Sequence, residues 1–390
     1  MTGTTSRTRR RTIPALMTTT IGGAAVVALP IVARHLDGSA DEFSSRSVPV
    51  FPAIGWVICA VLAAIVVTHR LQLWFAVDEG STVAVAYDML PIMLLAAPVV
   101  GVCALITGHL LLAAAAALLT AYHLALVVPR AISDRLPAWA KHAPRLRLCV
   151  ANVFVDNPTP RAAADQLLRS GADVIIIAEA TPAFMQVFDE AGGRDAYPHR
   201  VFDPADTSDY AVAIVSRRAL DERSAMRHIG PLDLAVAVID VGGVATTIVT
   251  LNPQATFDPG GHETWKRQID ALTSFVPTVD GPLVVAGDLN TTRFRPEFQD
   301  LLDAGLTDCI DSLGQAWKPS FSLRSVWPLG ALGLIARLDH ALANDRVRAT
   351  RVRNLRARGS DHLPFLITLA VRKDRETRPL AHPEIPVSAP

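Results

Sequence analysis

The pattern of apolar positions divides the chain into two unlike halves. Before about residue 130 the apolar residues come in long, nearly uninterrupted runs; after it they come in short runs of strand length separated by polar turns. A helix needs about 20 apolar residues to cross a bilayer, and four segments approach that length: 13–33, 48–68, 90–106 and 109–128. The last two are cut from one stretch, Leu90 to Val128, that contains no Asp, Glu, Lys or Arg and breaks naturally at Thr107-Gly108-His109. A soluble bundle needs polar outer faces, so residues 1–129 are read as an all-α transmembrane region. The first segment, preceded by Arg7, Arg9, Arg10 and Arg11, has the shape of a signal peptide. Its length, the missing small-residue cleavage site and the apolar helices that follow favour a retained helix. The expected location is therefore the cell membrane, multi-pass, with the bilayer as a partner.

Basic residues favour the cytoplasmic side. Four crossings with the N-terminal arginines inside also put Arg70, Arg130, Arg135 and Lys141 inside, and with them the rest of the chain. Three crossings reverse that side.

Pro129 to Pro144 is polar and carries three prolines, which marks 130–144 as a juxtamembrane linker. The proline-rich end, 373–390, has too little apolar content to build a core and is expected to be disordered. Between them, 145–372 is of ordinary single-domain size. Its aliphatic and β-branched runs suit buried strands. Helical spacing follows from Thr159 to Ser170, from Glu263 to Phe275 and from Pro296 to Ala304. The mixture predicts two packed sheets flanked by helices.

Composition adds two exclusions. The formal net charge is zero, so there is no strongly basic field of the kind that binds nucleic acid without sequence preference. The four cysteines, Cys59, Cys103, Cys149 and Cys309, lack metal-ligand spacing.

The candidate chemistry sits at strand ends. Leu146–Ala151 is followed by Asn152, Asp173–Ala178 by Glu179, Thr246–Leu251 by Asn252, and Leu283–Gly287 by Asp288-Leu289-Asn290. Asp339 lies inside the run Arg337–Leu342, and Ser360-Asp361-His362 precedes the run Leu363–Leu369. Phosphoester hydrolysis needs a cation on the phosphoryl oxygens, a group that orients water, and donors for the developing charge. Glu179 is a natural first ligand for a hard cation such as magnesium or manganese, and Asp361 a second. Asp288 is placed to position or activate water. Asn152 and Asn290 carry amides that both donate and accept. His362 can be a charged donor if a carboxylate raises its pKa, and Asp339 is the best candidate for that carboxylate. His340 points to the opposite face from Asp339 on a regular strand and is read as structural. Each element alone has a bland explanation, Asp-Leu-Asn being a common turn; their joint occurrence does not.

Taken together, Ala-Asn at 151–152, Asp-Val-Ile-Ile-Ile-Ala-Glu ending at 179, Gly-Asp-Leu-Asn at 287–290, Arg-Leu-Asp-His at 337–340 and Gly-Ser-Asp-His-Leu-Pro at 359–364 resemble the endonuclease/exonuclease/phosphatase superfamily with its deoxyribonuclease I-like fold. A membrane-anchored bacterial subgroup is the nearest likeness. The resemblance implies a four-layer sandwich of two mixed sheets and divalent-metal phosphoester hydrolysis. By position it implies that Glu179 binds metal with support from Asn152 and Asp361, that Asp288 and Asn290 position water and phosphate, and that Asp339 orients His362. It also implies an outward-facing catalytic domain, opposite to the four-crossing charge count. One position departs from the family: Asn252 stands where a histidine is usual. A neutral amide supplies neither a charge nor a proton, so the resemblance implies slower catalysis or a phosphoester-binding module without activity. His262 is the nearest possible substitute.

The leading expectation is a membrane-anchored, metal-dependent hydrolase of a phosphorylated lipid, an envelope intermediate or another phosphoester. A nuclease is the alternative enzyme, with Arg293, Arg295, Arg324 and Arg358 as possible contacts to a nucleic-acid backbone.

Overall fold

A computed structural model of the chain describes residues 50–75, 81–256, 260–322 and 334–373. The 13–33 segment, Arg324 and the expected disordered tail beyond residue 373 lie outside the described residues.

Among the described residues, fourteen strands carry the second half: β1 Arg145–Asn152, β2 Val174–Ala178, β3 His199–Phe202, β4 Val212–Ser216, β5 Ala225–Ile229, β6 Leu232–Asp240, β7 Ala245–Thr250, β8 Leu283–Asp288, β9 Thr307–Asp308, β10 Phe321–Ser322, β11 Leu334–Ala336, β12 Asp339–Ala343, β13 Val347–Asn354 and β14 Phe365–Val371. One six-stranded sheet has the order β13-β14-β1-β2-β4-β3, the other β5-β6-β7-β8-β12-β9, and β10 and β11 form a short ribbon. Each large sheet is mixed in the same way. A single parallel pair, β1 with β2 and β7 with β8, lies at its centre, and every other pairing is antiparallel.

The period-2 geometry of a strand explains how the layers form. In β2, Val174 and Ile176 enter the core between the two sheets, while Ile175 and Ile177 face the helices Pro160–Leu168 and Pro182–Glu190. In β8, Val284 and Ala286 face the other sheet, and Leu283 and Val285 meet the helices Gly261–Phe275 and Pro296–Asp303. Both faces of the central strands are therefore dry, which is why the sequence shows continuous apolar runs there. The result is the four-layer sandwich, helix–sheet–sheet–helix. Three of the helices open on a proline in the first turn, where its missing N–H costs nothing.

Parity also sets the site. Leu146, Leu148 and Val150 of β1 face the inter-sheet core, so Asn152 continues that row at the strand end. The same count carries Val284 and Ala286 on to Asp288, and runs back from Ala343 and Ala341 to Asp339. Three polar side chains are thus delivered to one rim of the slot between the sheets. Gly287 allows the approach, since a Cβ there would lie 2.6 Å from the Leu251 carbonyl oxygen on the neighbouring strand. The inward row of β2 has the wrong parity for Glu179. That residue adopts φ +57 instead, which breaks the strand and turns its carboxylate inward.

In the first half, helices Val50–Phe75, Ala96–Ile106 and Leu110–Val127 pack around Cys59, Leu62, Leu94, Ala97, Val100, Leu112 and Ala116. The close crossings use small residues; a Cβ on Gly55 would meet Leu112 at 2.7 Å. Outward-facing positions are also apolar, including Val99, Ile106, Leu110 and Leu118. Two segments, Val50–Leu73 and Leu110–Ala131, are long and apolar enough to cross a membrane, while the Leu90–Ile106 stretch is shorter. The 130–144 segment does not stand free of the sandwich: Ser133 bridges Leu313, and the Asp134 amide donates to the Ser312 carbonyl.

Candidate active site

Asn152 is the hub. Its Nδ2 donates to Glu179 Oε1 at 2.7 Å and to Asp288 Oδ2 at 3.0 Å, and its Oδ1 accepts from the Phe154 amide at 2.9 Å. Glu179 Oε2 accepts from the Val155 amide at 2.5 Å. Two donors do not compensate for what burial removes, so the Glu179 carboxyl is pushed up to about 7; desolvation is the main cause, and the Asp288 charge adds to it.

Asp288 is fully enclosed, and burial raises its pKa against the opposing effect of His362. Its Oδ1 takes the Asn290 amide at 2.9 Å. His362 stands between two acids: Nδ1 donates to Asp339 Oδ2 at 2.8 Å, and Nε2 lies 3.5 Å from Asp288 Oδ2. Burial alone would lower its pKa, but Asp339, Asp288 and Asp361 outweigh burial and hold the imidazole protonated up to about 10. The ring leans on Phe321, centroids 5.0 Å apart. Asp361 is half-buried, its pKa raised chiefly by desolvation, and its Oδ1 has no hydrogen-bond partner. The sites predicted at Asn152, Glu179, Asp288, Asp339 and His362 are therefore in one connected network, with Asp361 beside His362.

Asn290, at φ +49, and Asn252 form a second group at the edge. Asn290 Nδ2 donates to the Pro253 carbonyl at 2.8 Å and lies 3.4 Å from Asn252 Oδ1; Asn252 Nδ2 donates to the Asp209 carbonyl at 3.1 Å. His262 is buried in the first turn of the Gly261–Phe275 helix and stacked on Trp265. His340 faces the helix side, against Phe298, with Nε2 donating to the Thr291 carbonyl at 3.0 Å.

Two of the arginines offered as backbone contacts for nucleic acid are not available. Arg295 is fully buried and paired with Asp88, and Arg293 is paired with Asp311. Arg358 is exposed. Sequence reasoning did not single out Ser320 as a support. Its Oγ accepts from the amides of Leu338 and Asp339, fixing the start of β12. A serine in a loop carries no signal of that role.

Three candidate ligand atoms, one each from Asp288, Asp339 and His362, lie within 4.8 Å of one another. A protonated, hydrogen-bonded imidazole has no lone pair to offer a cation. Glu179 is an under-compensated carboxylate with Asn152 adjacent, and the Asp361 Oδ1 beside His362 has no hydrogen-bond partner. That donor set suits a hard divalent cation.

The sign of the pH effect follows. Glu179 is raised, so in the metal-free fold its ionised form is disfavoured. Stability is full below the ordinary carboxylate range and falls as pH rises through about 7. A cation bound there removes the penalty. Magnesium is expected to raise the melting temperature more at about pH 8 than at about pH 5.5 in scanning fluorimetry. An equal rise at both would take Glu179 out of the ligand set.

The sequence matches the Endonuclease/Exonuclease/phosphatase family over residues 149–362. No curated protein matches it. Among solved structures, D. rerio TDP2 humanised by 14 mutations is 18% identical over 58% of this chain and 99% of its own, with a TM-score of 0.49. An endonuclease/exonuclease/phosphatase from Beutenbergia cavernae is 16% identical over 59% of this chain and 72% of its own, TM-score 0.44. Sphingomyelinase C from Streptomyces griseocarneus is 18% identical over 58% and 99%, TM-score 0.43.

Proposed function

The chain belongs to the endonuclease/exonuclease/phosphatase family, and on that premise we propose that it is a membrane-anchored, divalent-metal-dependent hydrolase of a phosphorylated lipid, an envelope intermediate or another phosphoester. Members of the family are hydrolases of phosphoester bonds. The observation that carries the reading is the network of Asn152, Glu179, Asp288, Asp339 and His362, linked by hydrogen bonds and by the His362–Asp288 ion pair and drawn from separate segments to one rim of the sandwich. Membrane anchoring is supported by the two long apolar helices and their apolar outer faces.

Glu179 would hold the cation, with Asn152 and Asp361 in support. When bound there, magnesium or manganese supplies charge to neutralise phosphoryl oxygens. Asp288 orients the attacking water and accepts its proton, a role that its raised pKa favours. His362, kept cationic by Asp339, donates to a phosphoryl oxygen as charge develops. Asn290 and Asn252 offer neutral amide donors at the edge.

The test is metal-dependent release of phosphate or headgroup by the full chain in detergent or nanodiscs, across lipid and nucleotide phosphoesters. No turnover with magnesium or manganese would sink the reading. Cleavage of plasmid or abasic DNA at low salt would put a nuclease in its place. Asn252→His adds the charge that this position lacks, and kcat is expected to rise by about tenfold to a hundredfold, the worth of one transition-state donor. An inert wild type that still binds metal and a phosphorylated ligand would make the chain a binding module.

A further inference from the structure

The loop that leaves the catalytic strand β8 is held from the membrane side. Asp88, at the end of the helix Ser81–Asp88, lies outside the sandwich, yet both of its carboxylate oxygens are spent on that loop. Oδ1 accepts from the Thr292 amide at 2.9 Å and from Thr292 Oγ1 at 2.8 Å. Oδ2 accepts from Arg295 Nε at 2.8 Å and Nη2 at 2.5 Å. Thr292 is two residues beyond Asn290. Arg295, fully buried, reaches on to Thr256 Oγ1 at 3.1 Å, in the segment that follows Asn252, and lies over the Trp265 ring. Trp265 Nε1 in turn donates to the Leu289 carbonyl at 2.9 Å. His69, near the end of the first long helix, contacts the Phe294 carbonyl through Nε2 at 2.7 Å, and Trp317 Nε1 donates to the Val127 carbonyl at 2.9 Å.

We propose that Asp88 is a positioning residue of the active site: the membrane helices, through Asp88 and Arg295, fix the two loops that carry Asn290 and Asn252. The hydrogen-bonding pattern is what a positioning role requires. One carboxylate satisfies a backbone amide, a hydroxyl and a buried guanidinium at once, and the guanidinium ties the two loops together. Excising the sandwich from its helices would strip the Arg295 guanidinium of its carboxylate. The helix that ends at Asp88 and the sandwich therefore work together. The kinetic part of this proposal rests on the hydrolase reading; the structural part does not.

The test is hydrogen–deuterium exchange on the full chain in detergent, wild type against Asp88→Asn. Amides of residues 289–295 and 252–256 are expected to exchange about tenfold faster or more, the loss of a charged hydrogen bond, with β1, β2 and β8 unchanged. In turnover, kcat falls by about tenfold to a hundredfold, as misplacing a site predicts, while KM moves less. The magnesium-induced rise in melting temperature, which reads Glu179, stays. The double variant Asp88→Asn/Arg295→Gln replaces the buried ion pair by two neutral amides and recovers part of kcat. If Asp88→Asn does not fold, Thr292→Val removes one of the four bonds and gives a smaller change at the same amides. Unchanged exchange in both loops, or faster exchange spread evenly over every strand, overturns the proposal. Absence of any turnover would count against the hydrolase reading alone, because exchange still reports on Asp88.

Discussion

Replacing His362 with alanine is expected to lower kcat by about a thousandfold, within the range for losing one acid–base or oxyanion donor. The size follows from the position of the ring. It is buried, held by Asp339 on one side and close to Asp288 on the other, and protonated up to about 10. Its removal leaves two buried carboxylates without the cation between them, so folding stability falls as well. The sign for the histidine is opposite to that for Glu179. A raised imidazole contributes stability that is fully present below its ordinary range and is lost as pH climbs through about 10. Asp339→Asn separates charge from shape: the ring keeps a partner at Nδ1 but loses the nearest carboxylate. The alkaline limb of the pH–rate profile is then expected to move down from about 10 toward the ordinary histidine range, with kcat reduced by about a hundredfold. An alkaline limb unmoved by Asp339→Asn would remove His362 from the proton bookkeeping.

Much of this site is legible in the sequence because parity and order carry it. Asn152, Asp288 and Asp339 each extend an inward-facing apolar row; a strand-length run followed by a polar residue marks the first two, while Asp339 is marked as an acid inside such a run. The helices at Pro160, Gly261 and Pro296 fall within two residues of their expected bounds, since proline and hydrophobic spacing are local signals. Glu179 shares the strand-end signal, following Asp173–Ala178, although its parity is wrong; the positive φ that turns it inward has no signature in a non-glycine residue. Asp88 was beyond reach. A lone acid next to an apolar stretch looks like an ordinary helix end, and its partners lie over 200 residues away. The same distance hides the partner of Arg295, which is next to the Gly-Asp-Leu-Asn motif in sequence but is paired with Asp88 of the first half.

Glu179→Gln is expected to do two things that pull in opposite directions. Without the carboxylate the cation loses its principal ligand, and magnesium-dependent turnover should fall by about a thousandfold or more, with magnesium affinity down by at least about a hundredfold. In the metal-free protein the same change should raise the melting temperature. The wild-type carboxyl sits at about 7, against an ordinary value of 4.5, because burial opposes its charge. That difference is worth about 3 kcal/mol above neutrality and is relieved by a neutral amide. Glutamine keeps the size of the side chain but has one oxygen for the two donors, the Val155 amide and Asn152 Nδ2, that the two carboxylate oxygens accept, so one hydrogen bond is lost and the rise is smaller than that figure. The strained φ of +57 stays as well, and no gain comes from the backbone. A variant more stable without metal and nearly dead with it is what a site built around an absent charge predicts. Scanning fluorimetry at about pH 8, with and without magnesium, reads both effects in one experiment. If Glu179→Gln melts lower than the wild type in chelator and still responds to magnesium, the cation is held elsewhere in the slot.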